Sequence, residues 1–199
     1  MDIGFSFINS NTSFITSDCG LSVSIKLALV RINLWISIVL LDNFYVDAEV
    51  SADGHNWSMG AYATDYLEKT WPTSYGGRGG TYTAEGNRAI ANNKDGFIWD
   101  LCKRSNVSYR TYGEFADKAH KPHLNSLIGH TCPTFTGWDM NTRDTVRFKQ
   151  WKNDFDSLVA INALPTVNTI RFGNDHTEGM KAGRPTPFAH EADNDLAVG

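Results

Sequence analysis

The chain has 199 residues, 41% hydrophobic and 20% charged, enough to bury the core of one domain. A net charge of -4 and a pI near 5.8 exclude the clustered basic face that non-specific nucleic-acid binding requires, so no nucleic-acid partner is expected. Cys19, Cys102 and Cys132 are too widely spaced for a zinc ribbon or a C-x-x-C redox pair and read as buried small side chains.

Residues 1–24 are rich in Ser, Asn, Thr and Phe, carry no Lys, Arg or Glu, and do not fit the basic n-region pattern of a secretory signal. Ile25 to Leu41 is strongly apolar. It is shorter than the roughly 20 apolar residues of a spanning helix and contains Lys26, Arg31 and Asn33, so it reads first as one or two buried strands, with a membrane contact through this segment as the alternative. The alternation of Ile32, Leu34, Ile36 and Ile38 with Asn33 and Ser37 supports that reading. A polar knot follows at Val46 to Ser58, where Asp47, Ser51, Asp53 and His55 gather around Gly54 in an expected loop at a strand end.

Met59 to Lys69 places Tyr62 with Tyr66 and Ala63 with Leu67 at i, i+4, predicting a short amphipathic helix ended by Pro72. Ser74 to Gly86 is glycine-rich but lacks the G-K-[ST] ending of a phosphate loop; it reads as a surface loop in which Arg78 is the one group suited to an anion. Asn93 to Asn106 predicts a helix with Lys103 and Arg104 near its C-terminus, and Val107 to Tyr112 alternates like a strand. Phe115 to Thr142 has no clear period. Its His120, His123, His130 and Cys132 match no structural zinc spacing and read as a solvated loop.

Thr142 to Val159 predicts a helix capped by Thr142 or Asp144, with Val146, Trp151, Phe155, Leu158 and Val159 apolar and Arg147, Lys149, Lys152 and Asp154 facing water. Thr166 to Phe172 predicts a strand, followed by a second polar knot, Gly173-Asn174-Asp175-His176-Thr177-Glu178-Gly179. Thr186-Pro187 reads as the N-cap and first residue of a final helix through Phe188, Ala189, Ala192, Leu196 and Ala197. Helix followed by strand is the unit of a parallel sheet, so the expected class is α/β, with both knots at the strand ends where such folds bind ligands.

A serine hydroxyl becomes a nucleophile when a histidine base or a metal ion lowers the cost of its alkoxide. Ser51 and His55 in one knot, and Asp175 and His176 in the other, are the residues that offer this chemistry. Carboxylate and imidazole ligands suit zinc, iron or manganese better than calcium.

Four blocks then resemble a known family: Leu40 to Ser58, Gly96 to Tyr112, Ala163 to Gly179 and Ala192 to Gly199. In that order they are similar to the phosphoesterase family of bacterial phospholipases C and acid phosphatases. The resemblance implies an alkaline-phosphatase-like α/β sandwich, mostly parallel and flanked by helices, and metal-dependent hydrolysis of a phosphate ester through a serine phospho-enzyme. It places Ser51 as nucleophile and metal ligand, and His55 in the same catalytic loop. Asn56 and His176 fall near the substrate phosphate, and Asp175 and His176 at a divalent or transition metal ion. It also implies a periplasmic or secreted location.

The chain departs from the family pattern at both ends. No glutamate precedes Glu49, so a block like E-N-R-x-Y-D is missing, and no E-D-D-A-like block follows Ala192 to Gly199. The expectation is a divergent segment at 1–39 and the central part of a phosphoesterase domain at 40–199, truncated at both ends, with impaired activity. The alternative is a non-catalytic binding or interaction module that retains the fold.

Overall fold

A computed structural model of the chain describes residues 4–8, 50–75, 78–80 and 85–199. The Ile25 to Leu41 run and Asp47 lie outside the described residues. Strand β1 (Gly4–Ile8), β2 (Tyr109–Tyr112) and β3 (Val167–Arg171) form one sheet in the order β1-β3-β2. β2 and β3 are parallel, with Tyr109 opposite Val167 and Tyr112 opposite Ile170, whereas β1 runs antiparallel to β3. The class is α/β, as expected. Among the described residues the sheet is small and mixed, and is not an alkaline-phosphatase-like sandwich.

Both faces of the parallel pair are covered, which is why β3 is buried at all five positions. Tyr109 and Val167 point to a cluster with Met59, Phe97, Trp99, Cys102, Phe115 and Leu127. Tyr112 and Ile170, three residues further along each strand and therefore on the opposite face, pack with Cys132, Phe135, Phe172 and Ala197. Helix α3 (Ile98–Arg104) lies on the first face. Helices α4 (Asp144–Ala160) and α5 (Pro187–Val198) lie on the second, where Phe148 and Trp151 close the cluster.

The first polar knot is helical from its serine onward. Helix α1 (Ser51–Gly60) starts after the extended residue Val50, and the Asp53 carboxylate in its first turn accepts from the Val50 N–H at 3.1 Å. The single helix expected over Met59 to Lys69 is instead interrupted. Ala61 adopts a left-handed conformation (φ 66) and Thr64 caps a separate helix α2 (Asp65–Thr70). The break is fixed by Asn93, whose amide donates to the Gly60 and Tyr62 carbonyls at 3.0 and 2.8 Å. A Cβ on Gly60 would lie 2.2 Å from that amide nitrogen, so glycine is required for the close approach.

Helix α3 begins at Ile98 rather than near Asn93 because Gly96 is left-handed (φ 82), and Asp100 caps the new start by accepting from the Phe97 N–H at 2.9 Å. The Thr186 cap and Pro187 start of α5 are as expected, with Thr186 Oγ1 accepting from the Ala189 N–H.

Helix α4 corrects two expectations. Its N-cap is Arg143, and Val146 and Val159 are exposed while Arg147 is buried. The guanidinium of Arg147 is not solvated: it donates to the carbonyls of Thr136, Gly137, Asp139 and Thr142 and to the Asp144 carboxylate at 2.7–3.0 Å. A planar five-donor group can gather an irregular loop in this way, and an apolar residue cannot. Asp154 is also not simply solvated, since it holds Arg110 of β2 bidentately at 2.6 and 2.8 Å and accepts from the Tyr112 hydroxyl at 2.7 Å.

Candidate functional site

The site is built at the carboxyl ends of the parallel strands. Beyond Tyr112 the chain turns through Gly113 (φ 86) and Phe115 (φ 52), and Thr111 Oγ1 donates to the Glu114 carbonyl at 2.9 Å. That turn buries the Glu114 carboxylate, which is 1% exposed. Glu85 is brought to the same place by a left-handed pair, Glu85 (φ 56) and Gly86 (φ 76), and His123 Nδ1–H braces the Glu85 carbonyl at 2.6 Å. Arg171 at the end of β3 and His55 on α1 complete a group drawn from four segments.

The four side chains lie in one ring of contacts in which His55 and Arg171 alternate with Glu114 and Glu85. His55 Nδ1–H donates to Glu114 Oε1 at 2.6 Å, and Arg171 Nη1 donates to Glu85 Oε2 at 2.5 Å. Longer ion-pair contacts close it: His55 Nε2 to Glu85 Oε1 at 3.7 Å and Arg171 Nε to Glu114 Oε2 at 4.0 Å. The face of Trp138 covers Arg171, 4.6 Å from its ring centroid. The same indole meets the ring of His176 edge-on, with centroids 5.0 Å apart.

The second knot is held by carboxylates from two helices. Asp144, fully buried, accepts from the backbone N–H groups of Gly173 and Asn174 at 3.0 and 2.7 Å and from Asn194 Nδ2 at 2.9 Å. Asp193 on α5 accepts from the Asp144 N–H, Thr145 Oγ1 and Asn174 Nδ2, each at 2.7 Å. Asp193 thereby caps α4 from another helix, satisfying an orphan donor of its first turn. Asn174–His176 forms a single 3₁₀ turn, and Thr177 after it sits at φ 55, ψ 175, a region that a β-branched residue occupies only under strain.

The residues expected from sequence lie as follows. Ser51 is half-buried as the first residue of α1, not in a loop. One turn on, His55 is buried in the ring of contacts. Asn56 is buried, its amide donating to the Ala91 carbonyl at 2.9 Å and to Asn93 Oδ1 at 3.3 Å. Asp175 is half-buried, whereas His176 is exposed and donates from Nδ1 to the Thr177 carbonyl at 3.0 Å. His176 thus bonds to its own turn and not to Ser51. The two knots are linked instead through Glu85, Glu114, Arg171 and Trp138, none of which the sequence patterns single out.

Among the described residues no three His, Cys, Asp or Glu side chains are grouped so as to hold a metal ion, and no helix is long and apolar enough to cross a membrane. In the loop at 115–142, His120 and His130 donate from Nδ1 to the carbonyls of Phe135 and Tyr109, and His130 stacks on the Tyr109 ring. Neither comparison with family models nor comparison with curated proteins and solved structures finds a match to this chain.

Proposed function

We propose that this chain is a phosphoesterase-type domain in which Ser51 receives the phosphoryl group of a phosphate ester. The observation that carries the reading is the position of Ser51, the first residue of a ten-residue helix that follows directly on an extended residue. A helix start has a positive dipole end, a backbone setting that suits a phosphoryl group, although at this one the Ala52 N–H already bonds to the Tyr75 hydroxyl and the Gly54 N–H to the Val50 carbonyl. The convergence of the four resembling blocks supports it further. His55 of the first meets Glu114 just beyond the second and stands in one ring with Arg171 of the third, while Asp193 and Asn194 of the fourth hold Asn174 and Asp144.

In the proposed reaction Ser51 Oγ attacks phosphorus as the bond to the leaving alcohol breaks, its proton passing to solvent and one being returned to the alcohol. Water then cleaves the phosphoserine and releases phosphate. The metal ion that the resemblance implies would neutralise charge on the transferring group, with Ser51, Asp175 and His176 as its protein ligands. The described residues do not assemble these three into such a site. Each missing stabilising contact of this kind costs about 2.7–4 kcal/mol of barrier, and turnover by this chain alone is expected to be negligible.

Inorganic phosphate titrated into isotopically labelled protein tests the reading directly. Saturable shifts of the first-turn amides of α1 are expected, and their absence refutes it. Robust hydrolysis of a phosphomonoester that survives Ser51→Ala refutes Ser51 as nucleophile; robust hydrolysis that Ser51→Ala abolishes establishes Ser51 and overturns the impairment. The second reading, a non-catalytic module retaining the fold, is favoured by exposed apolar side chains on α4, α5 and the segments beside them: Val159, Ile161, Met180, Phe188 and Leu196. It predicts no phosphate response on α1.

A further inference from the structure

We infer that residues 177–185 form a strap beside the second knot, closed by the side chain of Arg184, and that its closure fixes the tautomer and direction of the His176 imidazole. The strap runs from the 3₁₀ turn at 174–176 to the Thr186 cap of α5 and is built of turns and extended residues. Both ends are anchored. Asp144 and Asp193 hold the 3₁₀ turn through Asn174, and Thr186 caps the first turn of α5.

Between those ends little packs against the segment. Met180 is 85% exposed, Lys181, Ala182 and Pro185 are exposed as well, and the buried apolar clusters of the described residues draw nothing from the strap. Gly179 (φ 60) and Gly183 (φ 78) are left-handed, and open space lies where a Cβ would stand on either. Among the described residues, Arg184 is the one side chain of the strap that bonds beyond the segment itself. Its guanidinium donates to the Met140 carbonyl at 2.6 Å, to Asn141 Oδ1 and to the Glu178 carboxylate. The receiving loop is stiff: Asn141 donates from its N–H and its amide to Asp139 Oδ1 at 3.1 and 2.9 Å, and Arg147 grips the Asp139 and Thr142 carbonyls. Arg184 is therefore a clasp between a sparsely packed segment and a fixed one.

Closure is opposed at its hinge. Thr177 sits at φ 55, ψ 175, strained for a β-branched residue, and the hold of Arg184 on Glu178, the next residue, keeps it there. In that conformation the Thr177 carbonyl accepts from His176 Nδ1 at 3.0 Å, and the imidazole stands edge-on to Trp138. A proton fixed at Nδ1 leaves the lone pair of the neutral ring on Nε2. Release of the clasp lets Thr177 leave the left-handed region, which turns its carbonyl away and removes the acceptor that selects this tautomer. The clasp is independent of the phosphate reading; only the use made of Nε2 rests on it.

Arg184→Gln in the full chain tests this, with amide exchange and nitrogen-detected magnetic resonance of the histidine side chains. In the wild type at pH 8, above the ordinary imidazole range, the His176 proton is expected on Nδ1; a proton on Nε2 overturns the inference. The amides of residues 179 and 184 donate to Thr177 Oγ1 and to the Lys181 carbonyl. In the variant both are expected to exchange about tenfold faster or more, the fold-change for losing one charge-assisted hydrogen bond, while Asn174 and Ala189 keep their rates and the His176 proton moves toward Nε2. Unchanged exchange at 179 and 184, or an unchanged His176 tautomer, overturns it. Equal loss of protection at Asn174 and Ala189 also overturns it, since Arg184 would then support the whole region rather than a strap. Asn141→Ala removes a receiving oxygen and leaves Arg184 in place; it should shift both readouts in the same direction, and it decides if Arg184→Gln does not fold.

Discussion

Asp144→Asn is the substitution with the largest effect that the structure predicts. The carboxylate is fully buried and is the anion of an ion pair with Arg147, itself 1% exposed, at 2.7 Å. It also accepts from three N–H donors, those of Gly173, Asn174 and Asn194. Replacing one oxygen with an amide NH₂ opposes a donor to donors and leaves the guanidinium without its counter-charge. Removing one member of a buried pair costs about 3–5 kcal/mol, a large share of the roughly 5–15 kcal/mol that holds a domain folded. In urea denaturation followed by tryptophan fluorescence the midpoint should drop sharply with little change in slope. A loss under about 1 kcal/mol, below the ordinary cost of one buried unsatisfied group, would show that Asp144 does not anchor the second knot. Amide exchange of Gly173 and Asn174 gives a local check, since both should lose protection even where the fold survives.

Three further outcomes are expected. Thr177→Gly should raise stability, because relief of about 1–3 kcal/mol of backbone strain exceeds the roughly 0.4–1 kcal/mol of added unfolded-chain entropy; a lower denaturation midpoint contradicts the strain. Tyr75→Phe removes the hydroxyl that accepts from the Ala52 N–H at 2.9 Å, so the Ala52 amide should exchange faster and stability should fall by about 1–3 kcal/mol; unchanged exchange at Ala52 contradicts it. Burial pushes the Cys102 thiol above its ordinary range, so alkylation near pH 8 should track unfolding rather than thiol ionisation, and fast labelling of native protein contradicts the buried assignment.

The elements with strong local signals were legible in the sequence. The period of Thr142 to Val159, the Thr186-Pro187 start and the two strands appear within a residue or two of their expected bounds. Their lateral contacts were not. Arg147 has the side chain of a solvated helix position and becomes a core group only because the loop at 136–142 turns its carbonyls toward it. Ser51 reads as a loop residue because V-S-A-D-G-H has glycine and polar residues, poor helix formers, at its centre; the helix forms because Asp53 caps it and His55 and Asn56 are anchored by tertiary contacts. Glu85, Glu114, Arg171 and Trp138 gave no motif, since their meeting depends on strand pairing and on left-handed turns and joins residues 33 to 86 apart in sequence. A left-handed Glu85 ahead of Gly86 had no signal beyond the glycine itself.

The two polar knots are thus coupled through β3 rather than through each other. Arg171 at the end of that strand belongs to the ring of contacts that holds α1, and Gly173 and Asn174, two and three residues later, belong to the network that holds α4 and α5. Trp138 sits between these arrangements, against Arg171 on one side and His176 on the other, and a Cβ on Gly173 would lie 3.3 Å from its ring. Residues this close share neighbours, so losses at Glu114 and Asp144 are not expected to add as they would for distant sites. The placement of Ser51 relative to Asp175 and His176 depends on both networks being intact. A variant that weakens either should therefore shift the amides of α1 and of the 174–177 turn together.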